Sequence, residues 1–144
     1  MNERFEKFFN ELRAKANDAD RRFKDLKANA KSTSEKAKLE VNAQLTALEN
    51  KVKEGKARAA EADAKMKAWV EESKTMTRDK IAQWKDQRNA KRLALRADSS
   101  EQYALAAMQF AAAAVDEAER AAVEAIVARM DADSVPAPLT GASA

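Results

Sequence analysis

Between Met1 and Val135 the chain has no proline and a single glycine, Gly55. A sheet protein of this length needs a turn about every ten residues, and turns draw heavily on Gly and Pro. The chain cannot supply them, so helix is close to forced. Charged residues make up 35% and aromatics only 6%, the balance of long helices and coiled coils. Much of the 45% hydrophobic content is alanine. An Ala methyl removes far less area from water than a Leu side chain, at about 25 cal/mol per Å2. Helices with a thin shared core are therefore expected.

The apolar positions step by three and four along the first two thirds of the chain. They run through Phe5, Phe8 or Phe9, Leu12, Ala16, Ala19, Phe23, Leu26, Ala30, Thr33 and Ala37. They continue through Val41, Leu45, Leu48, Val52, Gly55, Ala59, Ala62, Met66 and Trp69. Two consecutive steps of four at Ala37, Val41 and Leu45 form a stutter. This pattern predicts a long, basic, coiled-coil-type helix over 3–97. Two places can interrupt it. Ser32-Thr33-Ser34-Glu35 reads as a capping box, at which the helix can bend. Gly55 costs about 1 kcal/mol relative to Ala in a helix interior.

Asp98-Ser99-Ser100-Glu101 is the clearest boundary, predicting a turn and cap over 98–100. A second helix is expected over 100–132. Tyr103 to Val115 carries no charge and includes four consecutive alanines, so this helix is apolar over much of its circumference. Residues 133–144 read as a disordered tail. The expected fold is all-α, the shorter Ala-rich helix folding back on the end of the long one as an antiparallel hairpin. Trp69, Ile81 and Trp84 then cover the Ala-rich surface.

Charge separates the two parts. From Ser99 onward there are seven acids and two bases, a net of −5, so the first 98 residues carry +8 of the overall +3. The hairpin is expected to set Asp116 to Glu124 beside Arg78, Lys80 and Lys85. The run Asp116-Glu117-Ala118-Glu119 reads as a solvated acidic face.

The inventory excludes much chemistry. With no His and no Cys there is no Ser-His-Asp or Cys-His arrangement, no thiolate zinc site and no Glu-x-x-His di-iron motif. Glycine only at 55 and 141 rules out a P-loop and a dinucleotide fingerprint. The expectation is a protein without catalytic residues, cofactor, metal or small-molecule substrate. The charged start and the lack of an apolar run of membrane-spanning length make the cytoplasm the expected location.

Function is then expected to lie in surfaces. The leading reading is a structural or adaptor protein that self-associates through Phe5, Phe8, Phe9, Leu12, Phe23, Leu45, Leu48, Val52, Trp69 and Trp84. Phe5 to Phe23, accompanied by Lys and Arg, also suits a helix lying on a membrane or a hydrophobic granule. The third and least favoured reading is nucleic-acid binding by Arg88, Arg92 and Arg96, which recur every four residues. In composition the chain is similar to coiled coils, granule-coat proteins and apolipoprotein-like helices, a likeness that carries no residue role.

Overall fold

The computed structural model describes residues 3–32 and 34–136. It contains four helices: α1 (Glu3–Asn29), α2 (Glu35–Ser73), α3 (Arg78–Asp86) and α4 (Ala90–Ser134). Among the described residues there is no strand. The all-α hairpin expected from the sequence is present as α2 against α4. The two run antiparallel, with Val41 and Met130 in one core cluster near one end and Trp69 stacked on Tyr103 near the other. α1 lies along α4 in the same direction, Lys15 meeting Asp116 and Arg22 meeting Glu119. α4 is thus the shared spine, about 67 Å long at 1.5 Å per residue. α1, α2 and α3 each pack on it, and α1 and α2 scarcely touch one another.

The inward stripe of α2 follows the three-four spacing. Val41, Leu48 and Ala62 are buried, and Leu45, Val52, Ala59, Met66 and Trp69 are half-buried. The densest packing lies where the α1–α2 turn meets the end of α4. There Val41, Leu48, Val123 and Met130 form a cluster, with Leu26, Ala30, Leu45, Ile126 and Val127 against it.

The helix expected over 3–97 is three helices. The first break falls at the expected bend, but its cap is Ser34 rather than Ser32. Ser34 has extended backbone, and its hydroxyl oxygen accepts the Ala37 N–H at 3.2 Å. Thr33, which lay on the expected stripe, is outside the described residues. Gly55 sits inside α2 without interrupting it.

The other two breaks come from hydroxyl and amide side chains. Ser73 and Thr75 turn their hydroxyls back onto the carbonyls of Val70 and Glu72, at 2.9 and 2.8 Å, and compete with helix continuation. Thr77 then caps α3 by accepting the Lys80 N–H, and Asn89 caps α4 by accepting that of Arg92.

The boundary expected at 98–100 lies inside α4. The Ser99 hydroxyl reaches across to Glu72 Oε1 at 3.3 Å instead of capping its own helix. α4 also extends to Ser134, past the expected start of the tail, and residues 137–144 lie outside the described residues. No described helix is long and apolar enough to cross a membrane.

Candidate functional site

α1 contains no fully buried residue. Its docking on α4 depends on half-buried apolar residues and two ion pairs. Along α4 the inward spacing runs Leu105, Met108, Ala112, Asp116, Glu119, Val123, Ile126, Met130. Two carboxylates therefore occupy core positions. Asp116 and Glu119 are only 6% and 5% exposed, which corrects the expectation of a solvated acidic face. The α1 side answers with Lys15, three residues after Leu12, and Arg22, three after Ala19. Both are partly buried, whereas Ala16, assigned to the stripe from spacing, is exposed.

Arg22 grips Glu119 with two parallel hydrogen bonds, Nε to Oε2 at 2.8 Å and Nη2 to Oε1 at 2.7 Å. That fork geometry is the strongest form of ion pair available to arginine. The bonded Glu119 raises the Arg22 pKa above its ordinary value, with desolvation acting in the opposite direction. A raised cation pKa means a contribution present at lower pH and lost only as pH climbs through the folded value. The pair thus stays charged on the arginine side throughout the ordinary pH range. Lys15 Nζ donates to Asp116 Oδ2 at 2.9 Å, while Asp116 Oδ1 is buried without a hydrogen-bond partner.

Asp116 stands on the floor of a groove of about 530 Å3 between α1 and α2. Phe8, Leu12 and Lys15 form one wall, Gly55, Arg58, Glu61 and Lys65 the other, and Met108, Ala112 and Ala113 the floor. The groove has a sequence cause. The side of α2 that turns toward α1 carries Arg58, Glu61 and Lys65, spaced three and four apart on one helical face. No apolar seam exists there for α1 to close on. Ala112 and Ala113 keep the floor low, and on the α2 wall a Cβ placed on Gly55 would meet nothing within 4 Å. A second cleft, of about 450 Å3, lies on α1 and α4 between Phe23, Ala30, Ile126 and Met130.

The residues expected to form interaction surfaces are dispersed. Phe8 and Leu12 face the groove and Phe23 the second cleft. Phe5 is half-buried, whereas Phe9 remains 47% exposed with the Arg13 guanidinium 5.3 Å over its ring. Leu48 belongs to the core, Leu45 packs against it, and Val52 lines a shallow α2–α4 cleft with Arg120. Trp69 stacks on Tyr103 at 4.3 Å, and its indole Nε1 is buried without a partner. Trp84 lies on a different helix, its ring covered by Arg92 at 5.5 Å. Arg88, Arg92 and Arg96 do not share one helical face, because Arg88 falls in the α3–α4 connection. Lys15 and Arg22 are given no pairing by the sequence, and Asp116 and Glu119 are expected there on a solvated face. Their signal was charge at three-four spacing within an apolar stripe.

The acids of α4 do not pair with Arg78, Lys80 and Lys85 as expected. Asp116 and Glu119 are taken by α1, and Glu117 and Glu124 are clasped by Arg120 of the same helix. That clasp holds the Glu117 carboxyl below its ordinary pKa, chiefly through the Arg120 hydrogen bond. Among the described residues no group of three or more carboxylates is placed to hold a metal ion. Comparison with protein-family models, curated proteins and solved structures finds no match.

Proposed function

We propose that this chain is a non-enzymatic structural protein that self-associates, with the groove between α1 and α2 as the contact surface and a second copy as its occupant. The observation that carries the reading is the charge order on one face of α2, of which Arg58, Glu61 and Lys65 line the groove and Glu54 lies one turn before them. Glu54, Arg58, Glu61 and Lys65 alternate in sign along one face. Antiparallel pairing about the midpoint between Arg58 and Glu61 sets Arg58 of each copy opposite Glu61 of the other. The same register sets Lys65 opposite Glu54. The pattern is self-complementary in the sense that a two-fold interface requires. Phe8 and Leu12, both half-buried, supply the apolar surface that such a contact buries.

Charge reversal tests this pairing. Arg58→Glu alone places like charges across the interface and is expected to weaken association at least tenfold, since opposed like charges cost more than a missing pair. Adding Glu61→Arg in the same chain restores it, because each reversed residue then meets the other. Sedimentation equilibrium reads both steps. If the double variant associates no better than Arg58→Glu, the register is wrong.

A second reading rests on one observation, the exposure of Phe9 on a helix with no fully buried residue. It makes α1 a surface-seeking helix for lipid or granule. Phe9→Glu leaves the groove intact, so it is expected to abolish vesicle co-sedimentation while sparing self-association. Absence of vesicle binding by the parent chain ends this reading.

A further inference from the structure

The end of the molecule farthest from the core cluster is basic, with Glu71, Glu72, Asp98 and Glu101 along its inner border. Residues 74–97 contain eight cations, Lys74, Arg78, Lys80, Lys85, Arg88, Lys91, Arg92 and Arg96, against two acids, Asp79 and Asp86. All eight are exposed. They lie on α3, on the first turns of α4 and, for Lys74 and Arg88, in the connections on either side of α3, beyond the Trp69–Tyr103 stack. Among the described residues only Lys74 of the eight forms an ion pair, with Glu71 at 2.8 Å. The acids expected to neutralise this region are occupied by Lys15, Arg22 and Arg120. The net charge of +3 therefore averages over a tip that carries +6.

The backbone of the corner adds an independent observation. α3 ends in a Schellman motif: the Arg88 N–H donates to Lys85 O at 3.1 Å and the Asn89 N–H to Trp84 O at 2.8 Å. This places Arg88 at the left-handed position, with φ of 51°. Glycine is the usual occupant, and an L-residue costs roughly 1–2 kcal/mol there. An arginine held at that cost projects a cation from the corner itself, between Lys85 at the end of α3 and Lys91 and Arg92 at the start of α4.

We propose that this corner binds the phosphate backbone of duplex nucleic acid, without reading sequence. The chemistry separates this ligand from the alternatives. Insertion into a membrane interface requires a free apolar helix face. Ile81 and Trp84, the large apolar residues of α3, are instead half-buried, and α3 packs on α4. Leu95, 57% exposed, is the one large apolar side chain left open between residues 74 and 97. Single-stranded ligands are held by stacking on open aromatic rings, but the ring of Trp84 is already covered by Arg92. What remains is a set of cations on two helices meeting at a corner. That set offers charge to phosphates and contains no built base contact. The inference is independent of self-association through the groove, which lies on other residues.

Fluorescence anisotropy with a labelled duplex of about 30 base pairs tests it, using the full chain. Engaging about five phosphates predicts a log–log dependence of affinity on salt with slope of about −4.5. Affinity then falls a few hundredfold between about 50 and 200 mM salt. Arg96→Gln is expected to reduce the slope by about one, as loss of one phosphate contact requires. Combined Arg88→Gly, Lys91→Gln and Arg96→Gln is expected to weaken binding at least tenfold at low salt. Circular dichroism should be unchanged, because all three side chains are exposed and glycine fits the left-handed position. Lys51→Gln, on the exposed surface of α2, leaves binding unaffected. Failure to bind duplex at low salt overturns the proposal, as does binding that the triple variant retains. Equal binding to vesicles rich in anionic lipid, lost in the same variants, would assign the corner to membranes instead.

Discussion

Arg22→Met is expected to destabilise the fold by about 2 kcal/mol, and Arg22→Met combined with Glu119→Leu to return it to within about 1 kcal/mol of the parent. The asymmetry follows from burial. The Glu119 side chain is 3% exposed, so removing its partner leaves an almost fully desolvated carboxylate. Loss of one member of a buried pair typically costs about 3–5 kcal/mol. The Arg22 side chain retains 39% exposure, and water can reach part of the vacated space, which brings the figure down. Replacing both partners removes the charge along with the penalty, and apolar side chains fill positions that already lie on the inward faces of α1 and α4. Denaturant unfolding of the two single variants and the double variant gives the coupling energy directly. A double variant no more stable than Arg22→Met would mean that the pair does more than offset its own desolvation. An acid on the apolar stripe of α4 with a base on that of α1 also fixes the alignment of the two helices, as polar residues at core positions do in coiled coils.

Leu48→Ala is expected to cost about 3 kcal/mol, the usual range for such a truncation being about 2–5 kcal/mol. Leu48 is 4% exposed and sits in the one dense cluster, with Val41, Val123 and Met130. Few large side chains in the described residues are buried to this degree, so neighbours cannot easily compensate. For a domain of this size the loss corresponds to a melting-temperature drop of roughly 10 °C. Truncating Leu39 provides the contrast. It is 70% exposed on the same helix, and its removal is expected to change stability by less than about 0.5 kcal/mol. If Leu48→Ala melted like Leu39→Ala, the cluster would not be the core.

The sequence and the structure agree where the signal is periodic. Spacing puts Val41, Leu45, Leu48, Val52 and Trp69 on one stripe, and the hairpin follows from the broad apolar surface of the Ala-rich helix. Spacing assigns Leu45, Leu48 and Val52 to self-association, whereas Leu45 and Leu48 pack in a cluster with Val123 and Met130 of the same chain. Disagreement lies where the decisive partner is distant in the chain. Lys15 and Asp116 are 101 residues apart and Arg22 and Glu119 are 97 apart. Apolar periodicity carries no information about charges, so spacing alone points to Ala16 on the stripe and to a solvated Asp116. The breaks at 74–77 and 87–89 were missed because they rest on Thr77 and Asn89 caps, which are weaker signals than Pro or Gly. Conversely, Ser99 and Ser100 carry a strong capping signal that α4 overrides by packing. Gly55 was legible as a local cost to the helix. Its place at the groove became visible only once α1 folded back onto α4.

Gly55 also offers the most direct test of self-association through the groove. A Cβ at this position meets nothing within 4 Å and the adjoining groove holds about 530 Å3, so Gly55→Phe is expected to fold, with helix propensity improved over glycine. The phenyl ring would occupy the space assigned to a second copy. Sedimentation equilibrium of the parent chain and of Gly55→Phe, each with helical content checked by circular dichroism, is the deciding measurement. The expected result is a parent oligomer at micromolar concentration and a Gly55→Phe monomer with undiminished helix. A monomeric parent, or a Gly55→Phe chain that associates as tightly as the parent, would contradict the assignment.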